Sequence, residues 1–344
     1  MFHTCKYQQG TTLLVPVCLL LTLVTTAVVA YSKQLRHHAV TLQREIERSE
    51  LHLTSSTSLA VTHNALGATM RWQTALSATQ KSIIREHRNV DIRGAATTFF
   101  SLSATARSAA SSLSYTQSMN VVRYPLIRAT PAQPAIFSAS ISPNAEITLV
   151  RPHPDKLDFW SRDALASPVA VQHRCESTAM ASCHALRPAD TPFPDDVVKY
   201  IFGVSRSAFH ADVLPGSNTL TDCENITSVR ARIIWVTGSC HLPLGANLGS
   251  DDNPVLLIIE DGHLSLSSGV TVTGMLVTLS RASALHKDII QHETSTIIGA
   301  ALIAQPLSAR SSLRVIYDKN TLTALQNAHY TQRTAFLTGS WHDF

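Results

Sequence analysis

Six cysteines are the residues with the most chemistry to offer in this 344-residue chain. Cys5 and Cys18 lie near the start, while Cys175, Cys183, Cys223 and Cys240 lie far beyond it. An even number beyond a membrane-length apolar run points to disulfides in an oxidising compartment. Four cysteines allow three connectivities. The sequence-local pairs, Cys175–Cys183 and Cys223–Cys240, are the expected ones, against a competing reading of four free thiols in the cytoplasm. No Cys-x-x-Cys pair is present, so the spacing does not indicate a zinc ribbon.

The other candidates for chemistry are weaker. His37-His38 reads as a solvated pair on a helix rather than a metal site, and Gln291-His292-Glu293 lacks the second histidine of a zincin. Asp251-Asp252-Asn253 offers oxygens of the kind calcium prefers, but no bidentate Glu follows at loop spacing, so a plain turn is expected. Asn225-Ile226-Thr227 matches a glycosylation acceptor, which matters only in a eukaryotic secretory pathway. No nucleophile elbow, Walker loop or dinucleotide-binding glycine motif occurs. Trp235 and Trp341 read as packing residues. The sequence therefore assigns no catalytic, cofactor-binding or metal residue and no small-molecule substrate, and a non-enzyme is expected. The formal charge of +4 is spread through the chain without a basic stripe, which argues against nucleic acid.

These residues follow one dominant element. From Thr11 to Tyr31 the chain reads TTLLVPVCLLLTLVTTAVVAY, with no Asp, Glu, Lys or Arg. A run of about 20 such residues spans a bilayer as a helix. It is open to three readings: a permanent anchor, a secretory signal cleaved after Ala30, or a helix retained after cleavage at Gly10. Beyond it, Leu35, Ala39, Leu42 and Ile46 recur at helical spacing. A helix from Thr11 to Asn64 is expected, about 80 Å long. Pro16 forfeits only the bond to the Thr12 carbonyl, a mild kink. Lys33, Arg36, Arg44 and Arg48 follow the run and only Lys6 precedes it. The positive-inside rule would then keep the large domain in the cytoplasm, but long domains translocate largely regardless of charge. The cysteines and the leader favour an extracytoplasmic domain.

Three stretches carry a family resemblance. Lys6-Tyr7-Gln8-Gln9-Gly10 before Thr11-Thr12-Leu13-Leu14-Val15 resembles the start of PilX-type minor pilins of bacterial type IV pili. Gly339-Ser340-Trp341-His342-Asp343-Phe344 resembles the ending of larger members, and so does Arg232 to Cys240. The likeness covers about the first sixty residues and the last hundred and fifty. It implies prepilin-type cleavage between Gly10 and Thr11 by a prepilin peptidase. It implies partners among minor and major pilins, and a place in the inner membrane with the C-terminal domain outside, the pilus tip being the further destination. Most pilins carry Glu at the fifth mature position, where this chain has Val15, and Phe at the first, where it has Thr11. Some PilX proteins and the related K-type pseudopilins of type II secretion also lack that Glu, which the resemblance ties to tip or initiating subunits.

An α+β protein is expected: residues 1–10 a leader, 11–64 the long helix, 65–228 a mixed globular region, and 229–344 a β-rich region in which a solenoid-like shape competes with an ordinary sandwich. Strands are expected at 145–150, 232–237, 255–260, 270–279, 296–304 and 313–317, with Gly-, Asp- and Asn-rich turns between. Short helices are expected over 197–202, stopped at Gly203, and over 206–212. Two function classes remain: a structural assembly subunit, or a membrane-anchored envelope enzyme or binding protein.

Overall fold

The computed structural model describes residues 11–68, 80–92, 95–109, 111–151, 159–162, 170–175, 193–211, 214, 217–228, 232–281, 286–337, 339 and 342–343. It is α+β, with a long apolar N-terminal helix and a strand-rich remainder. Helix α1 runs unbroken through Thr11–Ala68, 58 residues, about 87 Å at 1.5 Å per residue. It passes the expected end at Asn64 because Gly67 alone does not stop a helix; a single interior Gly costs only about 1 kcal/mol. The helix is long and apolar enough to cross a membrane. From Val15 to Ile46 its large apolar side chains are exposed, including Leu35 and Leu42 of the predicted stripe. Only the C-terminal end is docked: Leu51, Ser55, Ser58, Leu59 and Thr62 are buried, at the spacing of one helix face.

After α1 come β1 (Gln80–Ile92), β2 (Ala95–Arg107) and β3 (Ser114–Pro125). Four short strands follow: β4 (Ala135–Phe137), β5 (Glu146–Arg151), β6 (Phe159–Ser161) and β7 (Ala170–Cys175). Helix α2 (Val197–Phe202) precedes β8 (Ser217–Leu220), β9 (Ile233–Thr237), β10 (Cys240–Leu242) and β11 (Asn247–Leu248). Then come β12 (Val255–Glu260), β13 (Leu264–Leu266), β14 (Thr271–Leu279), β15 (Ile289–Gln291), β16 (Thr296–Ala304) and β17 (Ser312–Tyr317). Helix α3 (Lys319–Asn327), β18 (Gln332–Phe336) and β19 (His342–Asp343) close the chain.

The strands form two kinds of sheet. β1, β2, β3 and β18 are antiparallel in that order, and β19 also pairs with β3. On this sheet Leu102, Ala104, Met119 and Val121 alternate inward and pack against Leu59 of α1. The other two sheets are parallel throughout. In the smaller one Cys240 lies opposite Leu264 and Leu264 opposite Ile289, so successive returns of the chain are nearly equal in length. In the larger one Asn247 lies opposite Thr271 and Thr271 opposite Thr296, which repeats the same spacing. Side chains inside these windings are almost wholly apolar, and Val255 to Ile259 are all buried, as expected of a strand covered on both faces.

The sheets cut across the expected division at 228. β4 to β7 belong to the same parallel sheet as β8, β9, β11, β12, β14, β16 and β17, while β18 and β19 return to the antiparallel sheet beside α1. The array is joined in its middle, where β16 pairs with β4 and β17 with β5. From this junction the parallel pairing extends to β6 and β7 on one side and through β14, β12 and β9 to β8 on the other.

Helix α2 matches its expected span. Asp196 caps it by accepting from Lys199 N, and Gly203 at φ 69° ends it. The second expected helix, 206–212, is only a 3₁₀ turn at Arg206–Ala208. Phe209 breaks away after that turn to stack on Phe202 and contact Trp235, burial a continued helix would forfeit.

Candidate functional site

Helix α1 is the element the sequence singles out, and its footing is polar as well as apolar. Gln117 on β3 is fully buried, and its Oε1 accepts from Ser55 Oγ and Ser56 Oγ, both at 2.9 Å. The His52 and Tyr115 rings meet at a tilt, with centroids 5.4 Å apart. Nearer the apolar run, Ser111 Oγ donates to Glu47 at 3.0 Å. These contacts fix the helix direction, since a buried amide left without partners costs about 1–3 kcal/mol. Sequence reasoning had no signal for Gln117, which looks like any polar residue in an alternating strand.

Of the predicted site residues, Gly10 lies outside the described residues. Thr11 opens α1, and Val15 is 62% exposed on it. Cys223 and Cys240 form a disulfide with Cα atoms 4.8 Å apart. Cys175 is in β7, but its suggested partner Cys183 lies outside the described residues, as does Trp341. Cys18 is a free, exposed thiol on α1. His37 and His38 are exposed on the same helix.

The crossover to β8 is held to the parallel array by two arginines. Arg206 donates to the carbonyls of Ser280 (2.5 Å) and Ala304 (2.8 Å), at the ends of adjacent strands β14 and β16. Its own N–H is fixed by Asp196 at 2.8 Å. Burial lowers the Arg206 pKa, an effect Asp196 counters. Arg281 pairs with Glu260, donates to the Phe209 carbonyl, and lies over the Trp235 ring. Trp235 is fully buried, as a packing residue should be, and its Nε1 donates to Glu260 at 2.7 Å.

A second polar cluster joins successive windings at one corner. Asp288 is buried and accepts from Ser308 Oγ and, at 2.9 Å, from Arg310. Ser308's hydrogen bond, then Arg310 and His263, hold its carboxyl below the usual range against the opposing effect of burial. His263 Nδ1 accepts the Asp288 backbone N–H at 3.0 Å. The serine thus bonds the carboxylate and not the imidazole, so the order nucleophile–base–orienting acid required for serine activation is not formed. The cluster ties neighbouring turns of chain together.

Asp251 and Asp252 sit on an exposed turn closed by mutual Ser250–Asn253 backbone bonds at 3.1 Å. Among the described residues no three His, Cys, Asp or Glu side chains converge on a metal-sized site. Tyr330, half-buried, donates to the Pro254 carbonyl, and burial pushes its pKa up to about 12. Comparison with protein-family models, curated proteins and solved structures finds no match to this chain.

Proposed function

We propose that the chain is a structural subunit, a PilX-like minor pilin of a type IV pilus or of its initiating tip complex. The observation that supports this reading best is the division of α1. Its first part, free of charged side chains as far as Tyr31, is exposed from Val15 to Ile46, while its last turns are anchored by Leu51, Ser55 and Leu59 to the antiparallel sheet. A helix of this kind stands in the inner membrane, then buries its exposed stripe against the helices of other minor and major pilins. The mechanism is assembly and not chemistry. A prepilin peptidase would cut after Gly10 and leave Thr11 as the first residue.

Val15 bears on the subunit's place within the assembly. In shaft subunits a Glu at this position neutralises a neighbour's terminal amine, because a lone charge in an apolar bundle is costly. Val15 offers no such partner, which suits a subunit with no amine above it. The Cys223–Cys240 disulfide supports an extracytoplasmic domain. The parallel ladders, with their nearly constant return length, support reading the distal region as a β-solenoid built from two chain segments.

Fractionation of sheared pili from the source cell tests the assignment. The chain should co-purify with pilus filaments in a small, fixed ratio to the major subunit. Its retention in the membrane fraction alone would favour the alternative, a permanently anchored envelope enzyme or binding protein.

A further inference from the structure

A polar groove of about 670 Å³ lies where the two segments of the parallel array meet. Its floor is β17 and β5, with Ser312 opposite Glu146 and Arg314 opposite Thr148. These four face outward because Leu313, Val315, Ile147 and Leu149 alternate inward and are buried. The wall is the corner His292-Glu293-Thr294. The groove has a physical origin. Thr271 pairs with Thr296, a full return of the chain, but Ile297 pairs with Val315, a distinctly shorter one. The shorter winding draws back from the corner above and leaves it overhanging.

The backbone gap opened by that shortening is already filled. Gln291 is buried, accepts from Arg314 N at 2.7 Å and donates to Arg314 O at 3.1 Å. An incoming peptide strand therefore finds no free ladder at this edge. What remains unengaged is side-chain polarity. The Glu146 and Glu293 carboxylates and the Thr148 hydroxyl have no intramolecular hydrogen bond among the described residues. Arg314 Nε is shut from solvent and lacks a partner there, and Nη1 donates to the Glu293 carbonyl at 3.4 Å, which leaves Nη2 as the guanidinium nitrogen free to donate.

We infer that this groove binds a neutral, linear oligosaccharide. Carboxylates accept from vicinal hydroxyls, while Arg314 and Thr148 donate to ring and hydroxyl oxygens. Two carboxylates beside one guanidinium disfavour polyanions. Among the described residues Leu313 is the one apolar lining residue and is buried, so the groove offers no pocket for peptide side chains. The inference does not depend on the pilus reading, and either can fail alone.

Calorimetric titration of the full chain in lipid nanodiscs with cellotetraose, maltotetraose and chitotetraose tests it. At least one sugar should bind saturably. Glu146→Ala with Glu293→Ala should weaken that binding about tenfold or more, the effect of losing hydrogen bonds to charged groups. Thr148→Val should weaken it less. All variants should keep the Cys223–Cys240 disulfide and the wild-type unfolding midpoint. Absence of saturable binding by all three sugars, or unchanged affinity in the double variant, overturns the inference. Saturable binding of tetra-alanine in place of any sugar would assign the groove to peptide and overturn it equally.

Discussion

Gly274 and Gly299 lie opposite one another in the β14–β16 ladder, at φ 144° and 130°. A Cβ on Gly299 would fall inside the van der Waals envelope of the Gly274 carbonyl oxygen, and one on Gly274 inside that of Val255. Gly249, at φ 78°, meets the Thr273 carbonyl in the same way one winding earlier. Gly274 and Gly299 thus form a pair of facing positions inside β14 and β16 that only glycine fits, with Gly249 a third such position against Thr273. Gly299→Ala should destabilise the protein by about 2–3 kcal/mol, from the unfavourable φ plus displacement of a paired strand. Thermal unfolding of the variant checks this. The substitution Gly245→Ala, where a Cβ meets nothing, should cost only the φ term, about 1 kcal/mol.

The footing of α1 predicts a selective loss. Gln117→Leu removes the acceptor shared by Ser55 and Ser56, whose hydroxyls keep the His52 carbonyl as acceptor. A cost of about 0.5–1.5 kcal/mol follows, that of a lost hydrogen bond whose donors keep another acceptor. Limited proteolysis should then cut the end of α1 well before the parallel array. Equal resistance in variant and wild type would show that the apolar contacts of Leu59 suffice.

The Cys223–Cys240 bridge closes a separation of 17 residues, worth about 3 kcal/mol in the chain-entropy model. Cys223→Ala with Cys240→Ala should lower stability by about that amount. Mass spectrometry of non-reduced wild-type peptides should recover the two cysteines as one linked species.

Two groups set pH limits of opposite sign. The Tyr330 pKa is raised to about 12 from 10.0. A raised folded value means the contribution is complete below about pH 10 and is lost as pH climbs through 12. Asp288 is lowered, so its contribution is complete above the ordinary Asp value of about 3.9 and is lost as pH falls through its depressed value. Unfolding midpoints of Tyr330→Phe should fall less than wild type between pH 10 and 12. Those of Asp288→Asn should lose the corresponding acid limb.

Much of the strand content was legible because it rests on local pattern. The run Val255 to Ile259, the turns at Gly245, Gly262 and Gly269, and the Asp196–Gly203 caps all carry their signal within a few residues. The repeat was harder to see. Residue identities change from one return of the chain to the next, and the glycines at 249, 274 and 299, with the pairs 238/262 and 245/269, are what keep an even spacing. The joining of β4 to β16 and β5 to β17 was illegible, because pairing between strands so far apart in the chain leaves no trace in local composition. Of the candidate sites, the thiol pair could be read from spacing. The groove beside Arg314 could not, since it arises from a shortened winding and the filling of its gap by Gln291.

The assembly reading rests on what happens at Gly10, and N-terminal sequencing of the protein isolated from its own membranes measures this directly. The account predicts a first residue of Thr11 and its loss in Gly10→Glu, where a charged side chain occupies the scissile position. A first residue of Met1 or Phe2 would mean a plain anchor, and a start at Tyr31 or Ser32 a signal peptide. Either result would contradict a pilin-type helix that begins at Thr11 and stays on the protein.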